Sequence, residues 1–565
     1  MKRLKGSSMT LAERLESKQS SHEKMVEGSS WLTAGSMLSR LMGALYIIPW
    51  GAMMGANRDA ANALFAVGYS IYALFIQLST AGFPAAISKL VANYNSKKEY
   101  KTAWELFIKS LWFMIGAGII FGGIMYAIAP TVAAWSPETN IEYGVKVIRS
   151  LVPAVMIIPA MSLVRGFYQG YNDMAPSAIS QLLEQFVRII YMIVMTFIIM
   201  KMLSGDYSTA VAHSTFAAVV GAIVSMMYLV YKLWRDKPGL DELMEKDENP
   251  HKISSISLFA ELIRESIPFV IITSGIQFAS LIDMFSYSQL RGWFESFNVD
   301  SSVTAEMIKT EYAIFSFNAN KIIMIIISLA VSIAATALPL LASHFVAEDH
   351  DEVKEIIRKN TGLYAFIMFP AAIGMAVVAA PMYNIFYSPD TIGTQALVVS
   401  CIMSIILGAY TVFSAMLQAV QQNNEAIKAL MIGLFAKVLW QPVCIYYFAV
   451  SGPLWSTTFG FAVASYYLVY RLKQVTDFDI MGTLKDLVHI SAITLAMFVT
   501  SFATLKLVSL VLNVDRKFPA LIAVLIVAAV GGGTYAGLAL KTKIADEMLG
   551  SKVDGIRRKL RLHKG

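Results

Sequence analysis

Apolar stretches of about 20 residues recur along this chain from Trp31 to Leu540 with few gaps between them, and each can carry a helix across a hydrocarbon core of about 30 Å. A backbone in lipid must satisfy its own hydrogen bonds, so such stretches fold as helices. Composition agrees. Of 565 residues, 56% are hydrophobic and only 15% charged, against about a quarter charged in soluble domains. Spans are expected at 30–50, 61–90, 104–128, 145–165, 178–200, 209–233, 262–286, 312–340, 361–386, 394–418, 425–449, 452–470, 486–511 and 518–540. The expected class is an all-α integral membrane protein of about fourteen transmembrane helices.

Lysine and arginine set the orientation. Lys97, Lys98, Lys101, Lys232, Arg235, Lys237, Lys354, Arg358, Lys359, Arg471, Lys473 and the basic tail all fall on one side. The other side carries far fewer. An even helix count with both termini cytoplasmic follows, in a plasma-membrane protein. The net charge of +7 is largely this loop charge, which marks topology and not nucleic-acid binding. Residues 1–28 are polar and of mixed charge, read as a cytoplasmic tail and not as a signal peptide.

An internal repeat is visible. Pro84, Ser88, Val91 and Ala92 match Pro339, Ser343, Val346 and Ala347 at an offset of 255 residues (339 − 84). Gln169 and Arg188 match Gln418 and Lys437 at an offset of 249 (418 − 169). Six spans separate the copies, so both run in the same membrane direction. The expected plan is an N-terminal tail (1–28), an N-lobe of helices 1–6 (29–234), a cytoplasmic linker (235–256), a C-lobe of helices 7–12 (257–471), two further helices (485–541) and a basic tail (542–565). Such parallel repeats are a known transporter plan. Residues 544–565 read either as an amphipathic helix on the inner leaflet or as a solvated tail.

Charges inside a bilayer cost ~2.5–3.5 kcal/mol each, so their positions carry information. Arg40 lies about nine residues into the first span, roughly 14 Å deep. Arg188 lies mid-way along the fifth span, with Glu184 one turn before it; Asp283 is in the seventh, Lys321 in the eighth beside Asn318 and Asn320, and Lys437 in the eleventh. Arg40, Arg188 and Lys321 fit a cationic, water-filled cavity for an anionic head group, since guanidinium donates bidentately to pyrophosphate. The competing reading for Arg188 is a structural i,i+4 ion pair with Glu184. Asp283 is either the partner of a membrane cation or a coupling-ion site, and Lys437 stands at the repeat position of Arg188. Tyr46, Tyr69, Tyr72, Tyr168 and Tyr171 fit a sugar path or, more commonly, interface packing. Pro84 and Pro339 are expected to kink or end long helices.

Cys401 and Cys444 sit in apolar runs with no metal or disulfide spacing. His213 and His489 stand alone, the connection from Tyr287 to Glu311 offers no catalytic cluster, and no Walker-type glycine loop occurs. The expectation is a transporter and not an enzyme, without a bound cofactor, driven by a substrate gradient, the membrane potential or a coupling ion such as Na+ or H+.

The motifs Ser39-Arg40-Leu-Met-Gly43, Ala81-Gly82-Phe83-Pro84 through Tyr94, and Leu338-Pro339-Leu-Leu-Ala-Ser343 resemble the MOP exporter superfamily. Within it, residues 25–541 look like the polysaccharide-flippase branch, and most like the MurJ-type lipid II flippases of Gram-positive bacteria (the YtgP group). The resemblance implies two six-helix lobes around a V-shaped central cavity, plus two C-terminal helices bordering a groove for a lipid tail. It implies lipid II, an undecaprenyl-pyrophosphate-linked disaccharide pentapeptide, moved from inner to outer leaflet, with membrane lipids and the cell-wall synthesis machinery as partners and no nucleic acid. Arg40 matches the first-helix motif. A second arginine of that helix would fall near Tyr46 and one in helix two near Gln77, both departures, and the cation of helix eight is met only by Lys321 beside Asn320. Alternatives are a flippase for another undecaprenyl-linked sugar, such as a capsule or teichoic-type precursor, and a drug or cation antiporter of the same superfamily.

Overall fold

The computed structural model describes residues 39–549, apart from 40–41, 44, 81, 139, 172, 204, 246, 248–266 and 298–302. Arg40, most of the expected first span, the tail 1–28 and most of the tail 542–565 therefore lie outside the described residues. The chain divides into two compact units, residues 1–277 and 278–565.

In the first unit, α1 (Ile47–Met54) is followed by α2 (Arg58–Thr80), α3 (Phe83–Ser96), α4 (Tyr100–Trp135), α5 (Ile141–Gly170), α6 (Ala175–Phe197) and α7 (Tyr207–Glu245). Trp50 and Phe65 would stand over 20 Å apart on one straight helix. Their rings meet edge-on at 6.0 Å, so the chain reverses between α1 and α2, at Gly55 with φ of +59°. Trp50 Nε1 then donates to Ser214 Oγ of α7 at 2.9 Å, fastening α1 to the unit.

The expected second span, 61–90, is broken. α2 ends at Thr80 and α3 starts at Phe83, with Gly82 at φ +82° and Pro84 in the first turn of α3. Gly82 supplies a backbone that an L side chain resists, and Pro84 lacks the N–H that would continue α2. α7 overruns its expected end, so residues 235–245 of the expected linker are helical. The Lys232–Asp236 and Lys237–Asp241 pairs explain this, because i,i+4 charge pairs propagate a helix beyond the apolar stretch.

Next come α8 (Ile267–Thr273) and α9 (Gly275–Glu295), bent by 49° at the break between them. The second unit continues with α10 (Ala305–Ala313), a π-helical turn at Ile314–Ala319, α11 (Asn320–Val346), α12 (His350–Val377), α13 (Ala379–Phe386), α14 (Thr391–Ala419), α15 (Asn423–Phe448), α16 (Gly452–Thr476), α17 (Ile480–Val511), α18 (Lys517–Lys541) and α19 (Ile544–Leu549). Position 339 lies inside α11, which runs on to Val346, so the matched prolines have different local structure. The residue matching Gly82 is Ala337, which stays in the helix.

Eleven stretches among the described residues are long and apolar enough to cross a membrane, or twelve counting α8–α9 as one bent span. One of them, Asn423–Thr476, is a hairpin. Residues equidistant from its turn face each other: Ile445 against Gly452, Lys437 against Gly460, Ala464 against Gly433. In each unit one helix is the most enclosed, α5 in the first and α14 in the second, each with 67% of its apolar window inside. Gln169 and Gln418 sit near the ends of these two helices, and a glycine-notched helix pair follows each: α6–α7 at Gly221 and α15–α16 at Gly460. The 249-residue repeat thus lines up corresponding helices. The start of the basic tail, as far as residue 549, packs on protein. Ile544 and Ala545 are buried, and Met548 lies against Gly362 of α12.

Candidate functional site

In the first unit the site rests on α6. Arg188 is thirteen residues from the N-terminal end of α6, about 20 Å along the axis. Gly221 lets α7 approach closely enough that a Cβ there would stand 2.5 Å from the Glu184 carbonyl oxygen and 3.3 Å from Arg188 Cβ. The half-buried Arg188 guanidinium lies over the Tyr69 ring, 5.7 Å from its centre; the Tyr72 ring lies 5.5 Å from that of Tyr69, and Tyr46 stands in the same neighbourhood. The three tyrosines therefore gather at a cation.

The i,i+4 pair of Arg188 with Glu184 is not made. Glu184 Oε2 instead accepts from Arg165 Nη2 at 2.8 Å, across to α5. Arg165 is held by Ser180 Oγ (2.8 Å from Nε) and Ser225 Oγ (2.9 Å from Nη2), both fully buried. A charge-assisted, multiply bonded guanidinium outcompetes the looser helical pair. Among the described residues no carboxylate pairs with Arg188. Arg165 was not among the candidates from sequence. Its signal there was faint: it precedes Gln169 by one helical turn at the end of an apolar stretch.

Gln77 Nε2 donates to Thr273 Oγ1 of α8 at 2.6 Å, so its amide is already engaged. Tyr168, a candidate for a sugar path, is buried and donates to Asp236 Oδ2 at 3.1 Å. His213 is not alone: Tyr191 Oη lies 3.1 Å from its Nδ1.

In the second unit, Lys321 follows the π-turn and its ammonium stands 5.3 Å from the Phe317 ring centre. Asn320 Nδ2 donates to Ser316 O at 3.2 Å, and Asn318 Nδ2 donates to Tyr383 Oη at 2.9 Å. A π-turn frees backbone carbonyls, and Tyr387 Oη donates to one of them, Asn318 O, at 3.3 Å. Within the connection Tyr287–Glu311, Glu311 accepts from Tyr287 Oη (2.7 Å) and Arg291 Nε (3.2 Å), a cluster the spacing did not reveal.

Lys437 and Asp283 form the other buried centre. Lys437 is fully buried, and its Nζ lies 2.6 Å from Asp283 Oδ1 and 2.7 Å from Thr457 Oγ1. Gln441 Oε1, Ser456 Oγ and the Pro453 carbonyl complete an oxygen shell at 3.2–3.4 Å. Gln441 Nε2 also donates to Asp283 Oδ1 at 2.8 Å. This is a charge pair with its hydrogen bonds satisfied. Lys437 thus shares the helical position of Arg188 and not its surroundings. Gln441, one turn beyond Lys437 on α15, was legible as the same helix face; Ser456 and Thr457 were not.

Residues 25–345, more than half of the chain, match the family described as polysaccharide biosynthesis protein. The chain belongs to that family. Among its relatives, the lipid II flippase MurJ of Bacillus subtilis (strain 168) is 30% identical over 558 residues, spanning 96% of this chain and 99% of that protein. The uncharacterized membrane protein YabM of the same organism is 25% identical over 93% of this chain and 94% of its own length. A solved lipid II flippase MurJ in an inward closed conformation superposes with a TM-score of 0.61 at 14% identity, covering 92% of this chain and 99% of that one. An inward-facing multidrug resistance MATE transporter of the MOP superfamily gives 0.58 at 15% identity, covering 81% and 98%. These two likenesses show the fold. The polysaccharide biosynthesis family member described here is an all-helical, multi-pass membrane protein.

Proposed function

We propose that this chain is a lipid II flippase, moving the pyrophosphate-linked saccharide from the inner to the outer leaflet by alternating access. The observation that carries this reading is the near full-length, 30% identity to the lipid II flippase MurJ of Bacillus subtilis. The site is consistent with it. Arg188 puts a cation deep in an apolar helix without a carboxylate partner among the described residues, beside three tyrosines suited to polar contact with a sugar or phosphate. Arg40 is proposed to add charge for the same head group, and Lys321 is proposed as a substrate contact of the second unit. No covalent chemistry is required, so the chain acts as a transporter and not an enzyme. The proposal includes both termini in the cytoplasm and contact with cell-wall synthesis proteins. An antiporter for cationic drugs is disfavoured because Glu184 and Asp283, the membrane carboxylates best placed for it, are each paired with a cation.

Complementation tests the reading. In cells depleted of their own lipid II flippase, the intact chain is expected to restore lipid II exposure on the outer leaflet. Arg188→Ala and Arg40→Ala, at equal membrane abundance, are expected to reduce it at least tenfold, the loss of about 1.4 kcal/mol or more of head-group stabilisation. Full expression of the intact chain without restored exposure would reject lipid II and leave another undecaprenyl-linked sugar as the next substrate to assay.

A further inference from the structure

The trio Arg165, Glu184 and Arg188 carries a formal charge of +1 on two membrane helices. In an isolated helix, Glu184 would pair with Arg188 one turn away, and an anion would then meet a neutral pair. In the folded protein, Glu184 turns to α5. Arg165 reaches it at 2.8 Å, and Ser180 and Ser225 fix the guanidinium from two sides at 2.8 and 2.9 Å. Ser180 Oγ also donates to Ser177 O at 2.9 Å, which leaves its lone pair facing Arg165. The arrangement is costly in lipid, since it immobilises two arginines where one would neutralise the carboxylate. Gly221 keeps α7 close enough for Ser225 to take part.

We infer that Arg165 is a positioning residue for the anion site: it withdraws Glu184 from Arg188 and so keeps the Arg188 guanidinium available to a phosphate-bearing lipid head group. This rests on the reading of the chain as a flippase for a pyrophosphate-linked sugar. Arg165 sets the sign of the site without touching the substrate. Without it, Glu184 swings to Arg188 and the site loses its net charge. Removing Glu184 as well returns that charge, so the two changes compensate.

The test is equilibrium binding of undecaprenyl pyrophosphate to the purified full-length chain in lipid nanodiscs, with phosphatidylglycerol as a second ligand. Arg188→Gln is expected to weaken undecaprenyl pyrophosphate binding about tenfold or more, and Arg165→Gln about tenfold. Arg165→Gln/Glu184→Gln is expected to return to within about threefold of the intact chain, and Glu184→Gln alone to bind at least as tightly as it, because a carboxylate beside the anion is gone. A double variant as weak as Arg165→Gln overturns the inference, as does an Arg165→Gln variant that binds normally while Arg188→Gln does not. If Arg165→Gln does not fold, Glu184→Gln decides alone: binding weakened tenfold would overturn the inference. An intact chain that binds no undecaprenyl pyrophosphate defeats the flippase reading itself. Equal binding of phosphatidylglycerol, with the same dependence on the variants, would keep Arg165 as positioning residue but reassign the site to bulk anionic lipid.

Discussion

Lys437 and Arg188 stand at matching positions of a repeat, yet one is closed and the other open. An ammonium has three hydrogens, and the Lys437 shell offers five oxygens, two within 2.7 Å. Nothing further is needed to hold it. Removing one partner of such a buried pair strands the other charge, which costs ~3–5 kcal/mol. Lys437→Met is therefore expected to lower thermal stability in detergent markedly, and Asp283→Asn/Lys437→Met to recover most of it, as read by fluorescence-monitored unfolding. A double variant no more stable than the single would show that the pair does more than balance charge. The chemistry of these residues was legible in the sequence, and their partners were not. An i,i+4 rule operates along one helix, so it offered Glu184 to Arg188. The actual competitor, Arg165, sits 19 residues earlier on a different helix, where only tertiary packing brings it near. The same limit applies to Ser456 and Thr457, whose hydroxyls are ordinary in sequence and become ligands only when α16 folds back on α15.

At the scale of the element, hydropathy located the helices of the described residues and misjudged their ends. An apolar window reports the bilayer, whereas a helix continues until its hydrogen bonds or dihedrals fail; hence α7 runs to Glu245. The break after Thr80 needed Gly82 and Pro84 together, and a composition scan weighs neither. Helix starts obey more local rules. Asp206 precedes α7, and its carboxylate accepts from the backbone N–H of Ser208 (3.0 Å) and Thr209 (3.1 Å). Partial burial pushes this carboxyl up, but the bonds from Thr209 and Ser208 outweigh it and hold the group below the usual carboxylate range. A depressed value means the capping contribution is complete above the ordinary carboxylate value, about 3.9, and is lost as the pH falls through the lower folded value. Asp206→Ala is expected to cost ~1 kcal/mol at pH 7, with the difference from the intact chain shrinking once the pH drops below about 4. A difference that instead grows in acid would rule out capping by the ionised form. The α15–α16 hairpin gives a packing test. A methyl at Gly460 would stand 2.6 Å from Gly433 O and 2.8 Å from Lys437 Cβ. Gly460→Ala is expected to destabilise by ~1–3 kcal/mol, again measured by unfolding, and Gly532→Ala, with open space around it, to be neutral.

For the whole molecule, the repeat was the most informative reading, because two central helices, α5 and α14, and the pairs that follow them recur at its offset. Its first motif misled locally, since equal prolines follow unequal residues, Gly82 and Ala337. The proposed orientation makes a simple prediction. The two native cysteines are buried, so single new ones report cleanly. Asp477→Cys, between α16 and α17, is expected to resist a membrane-impermeant maleimide in intact cells and to react after permeabilisation. Asp515→Cys, between α17 and α18, is expected to react in intact cells. The reverse pattern would invert the topology and with it the direction of transport.

The Asp283–Lys437 contact joins residues 154 positions apart in the chain. At about 5–20 residues per second of synthesis, roughly 8–30 s separate the arrival of the carboxylate from that of the amine. For that interval α9 must wait beside the insertion machinery, or among water and lipid head groups, with its acid unmatched. Biogenesis of this protein thus has a timetable as well as a topology: its second half can be finished only when α15 arrives to claim a partner laid down in α9.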